Sequence, residues 1–75
     1  MQKYDFVEVV ELIDTNSSYE EIGQVFIGKK AMIIDINTSI ADGYCIELCF
    51  FNQELQELAM EEGFDYWKEE ELELI

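Results

Sequence analysis

The sequence predicts a mainly β fold: a small antiparallel barrel of about five short strands, with one helix inserted near residues 53–62. Three observations predict it. Much of the apolar content is Ile, Val and aromatic residues, which suit a pleated, half-buried surface. The run Tyr44–Phe51 alternates cleanly in two faces, and turn residues break the chain at short intervals. A single segment, Gln53–Glu62, is instead built of good helix formers between a capping residue and a glycine.

Taken in order, Tyr4–Ile13 (YDFVEVVELI) reads as the first strand, although Phe6, Val9, Val10 and Ile13 also fit one helical face. Asp14–Ser18 is a turn cluster whose side chains satisfy local backbone groups. Tyr19–Gln24 follows as a loop. A second strand runs through the β-rich stretch after Gly28 to Ile36, and Asn37–Gly43 connects it to the third, ending on an Asp-Gly turn signal. In that third strand Tyr44, Ile46, Leu48 and Phe50 share one face, and Cys45, Glu47, Cys49 and Phe51 the other. Met32–Ile36 and Tyr44–Phe50 are expected to pair antiparallel over a buried side. Asn52 caps the helix, Leu55, Leu58, Ala59 and Glu62 lie along one side of it, and Gly63 stops it. Phe64–Trp67 is a short aromatic strand, Lys68–Glu71 a turn and Leu72–Ile75 a last strand. Residues 1–75 form one domain, since the chain is too short for two cores. Its folded surface should be about 4,800 Å².

This order of pieces resembles the small SH3-like barrels, and among them short bacterial domains of unknown function. The matching stretches are Phe6–Leu12, Gly28–Ile36, Gly43-Tyr-Cys-Ile-Glu-Leu48 and Glu69-Glu-Glu-Leu72. The resemblance implies a fold and little chemistry. The chain departs from it at Asn52–Gly63, where the family has a tight hairpin and an inserted helix is expected here.

Composition narrows the function. Eighteen acidic residues face four lysines, with no histidine and no arginine, for a net charge of −14. Such a domain repels nucleic-acid phosphate and anionic membrane surfaces. Without His or Arg there is no imidazole base, catalytic triad or guanidinium clamp, and the four glycines are too scattered for a phosphate loop. No catalytic residues, metal site or cofactor are expected: two cysteines cannot complete a zinc site, and no calcium-loop pattern occurs. On a strand Cys45 and Cys49 would stand about 13 Å apart, against the roughly 7 Å limit for a disulfide. Two reduced thiols packed in the sheet, with no export signal at the N-terminus, imply a cytoplasmic protein.

The charge is uneven. Between Glu54 and Glu73 nine carboxylates stand against Lys68 alone, with Phe64, Tyr66 and Trp67 among them. Acids that steer an encounter beside aromatics that supply buried area suit a basic protein partner. The candidate partner-binding residues are Glu61, Glu62, Phe64, Asp65, Tyr66, Trp67, Glu69, Glu70 and Glu71. A competing use is open for each type: the acids keep the protein soluble, and Trp67 and Phe64 close the barrel. Tyr19-Glu-Glu-Ile22 is a second, smaller acidic patch, and Lys29 and Lys30 are exposed strand-end residues. The expected function is an inhibitor or immunity-type protein that caps a basic surface, such as that of a nuclease. The alternative is an SH3-like adaptor or structural module, as a monomer or a homodimer.

Overall fold

In the computed structural model, which describes residues 1–13, 21–38 and 43–75, the most extensive pairing lies between the two runs of strongest β pattern. Strand β2 (Lys30–Ile36) pairs antiparallel with β3 (Ile46–Phe50). On the other side β2 pairs with β1 (Phe6–Val9), which in turn pairs with the C-terminal β5 (Leu72–Leu74). A two-residue β4 (Tyr66–Trp67) borders β3. The result is one antiparallel sheet in the order β4-β3-β2-β1-β5. Its edges are joined by Lys68 and a 3-10 turn, Glu69–Glu71. Five flat strands would hold their edges about 19 Å apart, at about 4.8 Å per step. The link from Trp67 to Leu72 spans only about 13 Å when three of its residues are wound at about 2 Å each. The sheet therefore curls, as a barrel must.

Alternation sorts the side chains. Val7, Val9, Ala31, Ile33, Ile46, Leu48 and Phe50 point inward and are buried. Phe26, Phe64 and Trp67 fill the concavity against Phe50, with ring centroids 5.1 to 6.1 Å apart, a spacing suited to edge-to-face and offset contacts. The Trp67 indole N–H donates to the Phe64 carbonyl at 2.6 Å, so the burial leaves no unpaired donor on that ring. The surface area of 4694 Å² matches the size expected from mass.

The helix α1 (Gln53–Glu62) has the predicted bounds. Asn52 is extended and its Oδ1 accepts from the Leu55 N–H at 3.0 Å, while Gly63 ends the helix at φ +80°, where other residues would be strained. Ala59 is buried and Leu55 and Leu58 pack on the core, but Glu62 is exposed rather than on the packed side.

Two expectations are corrected. Of the loop assigned to Tyr19–Gln24, the described residues 21–23 are helical and lead into a 3-10 turn, Gln24–Phe26. Winding puts Ile22 and Phe26 on one side, against the core. A Cβ on Gly23 would lie 2.6 Å from Leu12 Cδ1 and 3.0 Å from the Phe64 ring, so any larger residue here would have to displace the Leu12 side chain. Strand β1 is also shorter than Tyr4–Ile13, because Val10 and Ile13 give their amides to Glu71 and leave the ladder with β2. The turn cluster Asp14–Ser18 and residues 39–42 of the Asn37–Gly43 connection lie outside the described residues. No helix among the described residues is long and apolar enough to cross a membrane.

Candidate partner-binding surface

The nine candidate residues separate by burial. Phe64, Trp67 and Glu71 are buried, the last two fully, so none of the three offers surface to a partner in this conformation. The two aromatics belong to the core because a domain this small has few other large side chains to fill it. Glu61, Glu62, Glu69 and Glu70 are exposed, and Asp65 and Tyr66 are half-buried.

Glu71 has a structural task. Its Oε1 accepts the Lys68 N–H at 2.9 Å, and its Oε2 accepts the Ile13 N–H at 3.2 Å. The first contact is the return half of a capping box on the 3-10 turn. The second ties that turn to a segment 58 residues earlier in the chain. The carboxylate is thus satisfied by backbone amides rather than by a cation, in the way a buried acid must be if it is to stay in the interior.

Several acids outside the core stand where their charge opposes the fold. Glu61 and Glu62 lie in the last turn of α1, which has no basic residue, so both face the negative end of the helix dipole. On the outer face of the sheet Asp35 stands directly opposite Glu47, and Glu8 directly opposite Glu73. Like charges in such pairs destabilise a sheet. A register shift between Ile33 and Asp35 produces the first pair. Strict alternation would set Ile34 against Glu47, and the extra residue turns Asp35 there instead.

Tyr66 sits beside this pair on β4, across from Glu47. Its hydroxyl donates to Glu47 Oε1 at 3.4 Å. The Glu47 carboxylate holds the phenol above its ordinary pKa, with desolvation, the hydrogen bond itself, and the Asp65 and Asp35 charges adding in the same direction. Asp35 and Glu47 were not among the residues singled out by sequence, since neither lies in the acid-rich C-terminal third. The alternating pattern around Glu47 was the only available signal. Cys45 and Cys49 are free and half-buried rather than buried, Cys45 packing on the core and Cys49 lying on the outer face, while Lys29 and Lys30 are exposed as expected. Of the smaller patch Tyr19–Ile22, Glu21 is exposed and Ile22 packs on the core, while residues 19 and 20 lie outside the described residues.

Comparison with protein-family models, with curated proteins and with solved structures finds no match to this chain.

Proposed function

We propose that this protein is an acidic inhibitor or immunity-type protein that covers a basic surface of a protein partner, such as the substrate-binding groove of a nuclease. The observation that carries the reading is the placing of carboxylates against one another and against a helix dipole: Asp35 with Glu47, Glu8 with Glu73, and Glu61 with Glu62. Asp35 with Glu47, and Glu61 with Glu62 at the helix end, cost the free protein stability; Glu8 has Lys30 opposite it on β2, and a partner's cations relieve the repulsion that remains. The chain acts by binding, since it holds no histidine or arginine from which to build a catalytic constellation. A reducing, cytoplasmic setting suits its two unpaired cysteines.

A second reading, an adaptor module that binds through apolar contacts, is favoured by the exposed Phe6 and Phe51. Salt separates the two, because steering between exposed charges is screened within about 10 Å at 0.1 M salt. A panel of purified basic nucleases is mixed with the protein at low salt. Binding and inhibition that weaken steeply with salt are expected. Charge reversal at the exposed positions, Glu61→Lys with Glu62→Lys and Glu69→Lys with Glu70→Lys, should slow association. No binding to any member of the panel at low salt rejects the nuclease reading, and binding indifferent to salt transfers support to the adaptor.

A further inference from the structure

The outer face of the sheet carries an ordered pattern that neither solubility nor the core requires. Cross-strand register arranges it in three rows, two residues or about 7 Å apart along β3, the bulge on β2 adding one residue between Met32 and Asp35. The middle row is apolar: Phe6 on β1, Met32 on β2 and Cys49 on β3 are successive cross-strand partners. Phe51, one step beyond the Ala31–Phe50 pair and so in line with Lys30, leans toward this row, its ring 5.6 Å from that of Phe6 in an edge-to-face contact. These two rings remain 53% and 62% exposed, although an aromatic pair already in contact gains most by losing water. On one side runs the acidic row of Asp35, Glu47 and Tyr66. On the other lie Glu73, Glu8 and Lys30.

We infer that this face is the docking surface, and that its occupant is a segment of a basic protein whose apolar side chains alternate with lysines or arginines. The inference rests on the reading above that the partner is basic, and adds where and how it is held. An apolar strip with Asp35 and Glu47 on one side, and Glu8 and Glu73 beside Lys30 on the other, is complementary to an apolar ridge flanked by cations. Burying the ridge on Phe6, Met32, Cys49 and Phe51 supplies area, and the flanking cations neutralise Asp35, Glu47, Glu8 and Glu73. A second copy of this chain is the wrong occupant. Stacking two such faces brings like rows together, with a net charge of −14 on each side. An anionic lipid surface or a nucleic acid is repelled for the same reason.

The test uses two probes and the intact protein: a short synthetic peptide alternating lysine with leucine, and oligolysine of equal net charge. Amide and methyl shifts are mapped by NMR, which needs no substitution and so does not depend on a variant folding. The alternating peptide should perturb Phe6, Met32, Glu47 and Cys49 first and bind about tenfold tighter than oligolysine, as expected where buried anchors add to charge. Phe6→Ser combined with Phe51→Ser should erase that advantage, and Glu69→Lys combined with Glu70→Lys should leave the ratio intact. Equal affinity for the two probes overturns the inference, as do shifts centred on α1, or a dimer in sedimentation that Phe6→Ser dissolves. If the peptide docks here and no nuclease binds, the nuclease reading falls and this surface stands. If a nuclease binds and the peptide does not dock here, the reverse holds.

Discussion

At the scale of single residues, two side chains in one acidic stretch do opposite things. Glu71 is wholly buried, yet it holds the Lys68 and Ile13 amides and so joins the start of the final turn to the end of the first strand's segment. Glu71→Ala leaves two amides without their acceptor, at a cost of about 3 kcal/mol, given that hydrogen bonds to charged groups contribute about 1.5 to 3 kcal/mol. Glu71→Gln keeps one acceptor oxygen and should cost about half as much. Denaturant unfolding of the two variants checks the order, and equal stability of Glu71→Ala and the parent would show that the contacts carry no weight. Tyr66 answers to its neighbours instead. Its proton is held by Glu47 first, then by desolvation and the nearby acids. The folded state therefore keeps this proton where the unfolded chain, with a pKa near 10, has released it. The contribution to stability is whole below pH 10 and is lost as pH rises through the higher folded value. Residue-resolved NMR titration of the phenol carbon should show Tyr66 ionising above pH 10 and Glu47→Gln bringing it down. A titration unmoved by that substitution would assign the shift to another cause.

At the scale of elements, legibility followed the locality of the cause. Helix α1 could be read to the residue because its signals are local: Asn52 gives its side chain to an amide three residues on, and Gly63 takes the left-handed conformation at the stop. The β2–β3 pair was readable for a similar reason, since the alternation from Ile46 to Phe50 is unbroken. What sequence missed depends on distant partners. The helical turn at residues 21–23 exists because Ile22 and Phe26 find the core, and a propensity reading of Tyr19–Gln24 has no access to that core. The bulge that sets Asp35 against Glu47 is likewise a property of two strands together. The candidate surface was half legible for the same reason. The acid-rich stretch correctly pointed to Glu61, Glu62, Glu69 and Glu70 as exposed charge, whereas Phe64 and Trp67 were drawn inward by the aromatic cluster, and Glu71 by the Lys68 amide and the sequence-distant Ile13 amide.

At the scale of the whole molecule, a charge of −14 is confined within extents of 30 × 28 × 20 Å. At 0.01 M salt the Debye length is about 30 Å, so nearly every carboxylate repels every other; at 0.15 M it is about 8 Å, and only neighbours such as Asp35 and Glu47 remain coupled. Unfolding spreads the charges apart, so self-repulsion weighs on the folded state more than on the unfolded one. The free protein should therefore melt at a higher temperature as sodium chloride rises from low to physiological concentration, while binding to a basic partner weakens over the same range. The two slopes have opposite signs because salt and partner relieve the same repulsion and compete to do so. Scanning calorimetry across a salt series, alone and with a bound partner, measures both. A melting temperature that falls with salt in the free protein would mean that attractive pairs outweigh the repulsion, and the opposed carboxylates would then lose their standing as a cost that a partner relieves.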